Sequence, residues 1–297
     1  MKIQFIRNQY NIFNVENGFG SVGNEFTVYL TGSLNWGFAP MHRITQRGPF
    51  QYGDSDIDFR LDPRVFSLPI VVPASTIDEH LDRRAQLLQI FKPGNDTATF
   101  RLQLNAYERS IDVKVVGGLS MDTDSKDFTI RTVVQLRAAD PTWFDTYGNT
   151  VAISAQLFGT PTPYPKPYPV PYGSDTINKI TTINYDGSWP SFPVIQCTGP
   201  AADLTIVDGR GNIIKFFDYI SAGDTYTIDL TYGAKTVVDQ NGVNKFSTLN
   251  IVSNLVNWGL YPDPTILNGT NTISVSAIAT DANTQVNMFY YNRYIGV

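Results

Sequence analysis

The sequence predicts a mainly β protein of two domains, the first carrying a single α-helix and the second forming a β-sandwich. Three observations lead there. Apolar side chains alternate with period two through almost every regular stretch, the pattern of half-buried strands. Only one stretch, Ser75–Gly94, has helical spacing. Composition then shifts about a proline run at 161–171. Glu108 is the last glutamate and His80 the last histidine, and the second half is poor in charge and rich in Asn, Thr, Asp and Tyr. The 297 residues are enough for about two domains.

In the first half the strands are FTVYLT (26–31), ATFRLQL (98–104), IDVKVV (111–116) and FTIRTVVQLR (128–137). Between the first two lies the helix. Thr76 with Glu79 three residues on makes a capping box, and Asp78 and Glu79 suit the positive end of the dipole. Ile77, Leu81, Ala85, Leu88 and Phe91 form one apolar stripe, expected to lie on a sheet. Lys92 sits at the negative end, and Pro93 and Gly94 stop the helix.

The second half reads LTIVD, IIKFFDY, TYTIDL, KTVVD, NTISVSAIA and QVNMFYY, rich in the β-branched and aromatic residues that suit strands. DGRGN (208–212) and DQNGVN (239–244) separate strands, the latter with an Asn-Gly pair suited to a hairpin turn. No strand–helix–strand alternation recurs, which excludes a doubly wound fold.

PTPYPKPYPVPYG (161–173) has proline at every second position from Pro161 to Pro171. Proline fixes φ and lacks an N–H, so the run joins neither a helix nor a sheet centre. Extended, its eleven residues reach roughly 34 Å. No two prolines stand three apart, so the P-x-x-P docking register is absent. The run reads as a spacer or projecting arm, with Tyr164, Tyr168 and Tyr172 free to lay rings on a neighbour. The expected division is 1–157, an arm or linker at 158–177, and a sandwich domain at 178–297.

Chemistry is sparse. With net charge −5 and no basic half, the chain lacks the footprint for gripping nucleic acid. The single cysteine, Cys197, cannot form an internal disulfide and reads as a small buried hydrophobe. The start shows no signal-peptide h-region, and SLPIVVPA is too short to span a bilayer, so a soluble protein made in the cytoplasm is expected. GFGSVG (18–23) matches G-x-G-x-x-G, but the next segment is a strand, which leaves a glycine turn and no pyrophosphate site. Asp54, Asp56 and Asp58 alternate like the start of a calcium loop. Phe59 and Val65 stand where that loop needs Gly and a carboxylate, so the three read as carboxylates on a solvated strand. There is no nucleophile elbow and no zinc cluster. No metal, cofactor or catalytic residue is expected. What remains is surface: Trp189 in DGSWPSFP and Trp258 in VNWGLYPDP lie in loop-like contexts, as candidates to stack on a sugar or dock a protein.

RAADPTWFD (137–145), GSWPSFPVIQCTGPAADLTIVD (187–208), SAGDTYTIDLTYGAKTVVDQNGVN (221–244) and LNGTNTISVSA (267–277) form a succession that resembles the distal tail proteins of long-tailed bacteriophages with non-contractile tails. The resemblance rests on order and spacing over most of the chain. It implies a tail-tube-like first domain, a β-sandwich or barrel with one helix, to which the 76–91 helix and the preceding VFSLPIVV strand fit. It implies a galectin-like or carbohydrate-binding-module-like jelly roll as the second. The implied role is structural: a homo-hexameric ring at the tail tip of the virion, joining the tail tube protein to the tail-tip hub protein and carrying receptor-binding or peripheral baseplate proteins, while DNA passes its lumen without specific binding. The proline run has no counterpart in that pattern. Two other readings stand beside it: a module that binds host cell-wall saccharide through Trp189 and Trp258, and a polysaccharide hydrolase using two aspartates.

Overall fold

The structure, a computed structural model, describes residues 2–7, 10–16, 19–22, 26–30, 37–104, 107–117, 119, 122–123, 128–154 and 176–297. The chain divides into two compact units, Met1–Thr146 with Tyr294–Val297, and Tyr147–Arg293. It is mainly β in both.

The first unit contains β1 (Lys2–Arg7), β2 (Tyr10–Glu16), β3 (Phe19–Val22), β4 (Phe26–Leu30), β5 (Met41–Gln46), β6 (Ser55–Leu61), β7 (Arg64–Val72), α1 (Ile77–Ile90), β8 (Ala98–Leu104), β9 (Tyr107–Gly117), β10 (Asp122–Thr123), β11 (Ile130–Ala138) and β12 (Trp143–Asp145). Eight of these close on themselves in the order β11-β7-β4-β3-β2-β1-β8-β9, with β9 pairing back to β11. Every pairing in that circuit is antiparallel. Closure removes the exposed edges that an open sheet would leave. Within the GFGSVG segment Phe19–Val22 form strand β3, while Gly18 and Gly23 lie outside the described residues.

Alternation dictates the core. β7 and β11 bury every second residue, so Phe66, Leu68, Ile70 and Val72 meet Ile130, Val134, Leu136 and Ala138 inside. Trp143 is fully buried, with the Phe66 ring edge-on at 5.7 Å. The DPTW corner is an Asx turn: Asp140 Oδ1 accepts the Thr142 N–H at 3.1 Å and its hydroxyl at 2.7 Å.

Helix α1 starts where the capping box places it, with Thr76 Oγ1 accepting the Glu79 N–H at 3.2 Å. The Glu79 carboxylate reaches back to the Ser75 N–H at 2.6 Å, and that bond, with Arg83 assisting, holds its pKa below the usual carboxylate range. At the other end the cation is Arg7 of β1 and not Lys92. Its guanidinium donates to the Ile90 and Lys92 carbonyls, both at 3.1 Å, satisfying groups a helix end leaves open.

The expected stripe of α1 faces the wrong way. His80, Leu87 and Phe91 turn to the core, while Ile77, Leu81, Ala85 and Leu88 are exposed. Of the stripe only Phe91 is buried, against Phe5 with ring centres 5.3 Å apart.

The second unit contains β13 (Asn149–Ser154), β14 (Thr176–Asn184), β15 (Val194–Thr198), β16 (Ala202–Val207), β17 (Ile213–Lys215), β18 (Thr225–Asp229), β19 (Thr236–Asp239), β20 (Thr270–Ile278) and β21 (Gln285–Tyr290). The last strand, β22 (Arg293–Tyr294), straddles the division: Arg293 ends the second unit and Tyr294 belongs to the first. Two antiparallel sheets, β13-β21-β15-β18-β19 and β14-β20-β16-β17, enclose a core that includes Ile195, Cys197, Ile228 and Met288 from one and Ile206, Ile214, Ile273 and Val275 from the other. Burial pushes the Cys197 thiol up to about 12, so it is inert.

Residues 149–154 pair in register with β21, so they belong to the second unit and not to a domain ending at 157. The proline run at 161–171 lies outside the described residues. The strands on either side of it, β13 and β14, are both in the second unit.

Candidate docking surfaces

The two tryptophans singled out from the sequence part company. Trp258 is fully buried in the sandwich core, its indole N–H pointing at the Ile206 carbonyl, 3.3 Å away. Its loop can sink because its polar groups are answered: Asp208 Oδ2 accepts the Gly259 N–H at 3.2 Å, and the Asn254 side chain accepts the Asn257 N–H at 3.0 Å. A buried ring cannot stack on a sugar or a partner, so the docking role expected of Trp258 is withdrawn. Trp189 is half-buried and held by its backbone. Its N–H reaches the Arg293 carbonyl at 3.0 Å, and its carbonyl accepts the Tyr185 hydroxyl at 2.5 Å. The two residues do not form one site.

The other sequence motifs resolve as structure. Asp54, Asp56 and Asp58 are exposed along β6 and its approach, and Asp56 pairs with Arg43 at 3.2 Å. His42 lies on β5; His80 is buried on α1 with Nδ1 2.8 Å from the Phe128 carbonyl. Among the described residues no group of three His, Cys, Asp or Glu side chains is placed to hold a metal ion. No helix among them is long and apolar enough to cross a membrane.

The surface that sequence reasoning missed is the β5–β6 hairpin. Among the described residues these strands pair only with each other, and all their residues are exposed except the half-buried Leu61. The apolar load is heavy for such a position. Met41, Ile44, Ile57 and Phe59 are between 42% and 60% exposed, and at the tip Phe50 and Tyr52 are 97% and 101% exposed. A two-stranded hairpin is marginal in water by itself; its register puts Met41 and Phe59 on one face and Ile44 on the other, and apolar side chains this exposed suit an interaction site. The available signal was DSDIDFRL, in which Ile57, Phe59 and Leu61 alternate after a Gly-Pro turn; MHRITQ, with Met41 and Ile44 three apart, has no such period. The three aspartates drew attention to DSDIDFRL, and MHRITQ was not read as a strand. The exposed face of α1 is a second such surface, with Ile77 55%, Leu81 52% and Leu88 46% exposed.

Comparison with known proteins bears on the fold alone. No family model and no curated protein sequence matches the chain. Among solved structures, the crystal structure of the SPP1 Dit protein superimposes with a TM-score of 0.60 at 12% identity, over 97% of this chain and 98% of that one. The chain has the fold of that Dit protein. The SPP1 protein is described as a paradigm of the hub adsorption apparatus in phages that infect Gram-positive hosts. Chains of the phage P2 baseplate in its activated conformation also align at 10% identity, with TM-scores of 0.46 (calcium form, 97% of each chain) and 0.45 (strontium form, 98% of this chain and 97% of that one).

Proposed function

We propose that this chain is a structural component of a phage tail tip, in which copies of it, six in number, close into a ring. In this reading the ring joins the tail tube to the tail-tip hub, and the second unit carries peripheral or receptor-binding proteins. DNA passes through the ring without specific contacts, as suits a chain of net charge −5. The observation that carries the proposal is the superposition on the SPP1 Dit protein over both units, nearly end to end on each chain. A shared sandwich alone would carry much less, because sandwiches host many unrelated roles. The bare β5–β6 hairpin supports it, since a ring of identical subunits needs surfaces that only a neighbour completes.

The test is the mass of the purified protein by light scattering across a wide concentration range, with and without tube and hub partners, followed by imaging. A hexameric mass and closed rings are expected. A strict monomer at high concentration, with no ring beside either partner, overturns the reading.

A further inference from the structure

The first unit carries two apolar surfaces that none of its described residues covers: the β5–β6 hairpin and the outer stripe of α1. We propose that they are the two halves of one subunit contact, with the hairpin of one copy lying along α1 of the next. This rests on the self-assembly reading above and names the surfaces that would carry it.

Size, charge and symmetry argue for that occupant. α1 has 14 residues, about 21 Å at the helical rise. β6 has 7 residues, about 23 Å at the strand rise. The two surfaces are therefore the same length. Each also carries a charge gradient along that length. The first half of the helix holds Asp78, Glu79 and Asp82 against Arg83; the second half holds Arg84, with Lys92 just past its end. The distal part of the hairpin holds Asp54, Asp56 and Asp58 against Arg47 and Arg43, the latter paired with Asp56, and at its base Arg60 pairs with Asp62. Laid with the hairpin tip toward the C-terminal end of α1, the acidic tip meets Arg84 and Lys92 while Ile57 and Phe59, two apart on β6, cover Leu81, Ala85 and Leu88. The reverse orientation sets the tip's aspartates against Asp78 and Asp82, so the electrostatics select one direction. A membrane is a poorer occupant, because an aspartate-studded hairpin is repelled by anionic lipid. The contact is heterologous: hairpin and helix are different surfaces, so each copy offers one to each neighbour and a chain of copies can close.

The buried, inert Cys197 permits a clean test by disulfide trapping in the full chain. Ile57→Cys and Ala85→Cys are both at exposed positions. Under mild oxidation, a mixture of the two single variants is expected to give a covalent dimer, and the double variant a ladder of covalent oligomers. Asp58→Lys is expected to raise the assembly midpoint about tenfold, and Arg84→Asp in the same chain to bring it back. Thermal melting of each variant shows that it is folded. If the unmodified chain assembles but the mixture forms no dimer and Asp58→Lys leaves the midpoint in place, this contact is wrong and the ring reading stands. If the unmodified chain never assembles, both fail.

Discussion

Arg64 shows how one side chain organises the first unit. It is almost fully buried, and among the described residues no carboxylate pairs with it. Its guanidinium instead donates to three carbonyls far apart in sequence: Gly37 at 2.5 Å, Pro141 at 3.2 Å and Ile295 at 2.8 Å. It also lies 5.7 Å from the centre of the Phe66 ring and 6.0 Å from that of Trp143. Burial lowers its pKa, yet a guanidinium stays charged at any ordinary pH. The planar fork is what lets one residue serve three directions, which a lysine ammonium cannot do on the same geometry. Arg64→Met fills similar space and leaves three carbonyls without their donor, at a cost of about 2–4 kcal/mol. Arg64→Lys is expected to fall between the two. Urea unfolding midpoints measure both, and a loss under about 0.5 kcal/mol for Arg64→Met would show that the three carbonyls find other donors.

At the scale of elements, two turns of the sandwich use one device. In Asp208–Asn212 and Asp239–Val243 the aspartate Oδ1 accepts the backbone N–H two and four residues on, at 2.8–2.9 Å. Gly211 and Gly242 take φ of 83° and 77° at the fourth position. The Asn-Gly pair thus works through its glycine in a longer loop, and Asn241 keeps a negative φ. A β-carbon at Gly242 meets nothing within 4 Å, so Gly242→Ala tests the backbone alone and is expected to cost about 1–2 kcal/mol. Within these two turns the pH behaviour comes from Asp239, beside the contributions of Glu79 and Asp96 in the first unit. Those N–H groups hold the Asp239 pKa below the usual carboxylate range, with Lys245 assisting. A carboxylate depressed in the folded state contributes stability above its unfolded pKa, near 4, and loses it as pH falls through the lower folded value. Stability is therefore expected to drop below about pH 4, and Asp239→Asn should flatten that drop in acid denaturation curves. An unchanged acid limb in the variant would assign the effect elsewhere. These turns and the strands between them were legible in the sequence because their chemistry is local. So were the ends of α1, through Thr76 and Glu79. Which way α1 faces was not legible. Its apolar stripe of Ile77, Leu81 and Leu88 is stronger than the buried face of His80 and Leu87, and periodicity cannot tell a face that meets its own core from one left to another molecule. Trp258 misled for a related reason: a loop reads as surface until its backbone groups are seen to be satisfied inside.

On the scale of the whole molecule the two units depend on the chain unequally. The second unit runs without interruption from Tyr147 to Arg293. Its first strand pairs with β21, and Arg293 at its end accepts the N–H groups of Ser188 and Trp189, so each terminus is stitched in locally. The first unit is completed only by the residues after Arg293. Tyr294 covers the Arg109 guanidinium at 3.5 Å, with its hydroxyl 3.4 Å from Asp145, and Ile295 supplies one of the three Arg64 carbonyls. Residues 147–293 made separately are accordingly expected to fold and melt cooperatively. Residues 1–146 made separately lose the ring over Arg109 and one acceptor of Arg64, two contacts of about 1 kcal/mol or more each. That piece should unfold at lower urea than the same region does in the full chain. Hydrogen exchange at β12, which bears Asp145, compared between the piece and the full chain reads this directly. Equal protection in both would mean that the returning tail is ornamental to the first unit, and that Arg64 and Arg109 are held by the barrel alone.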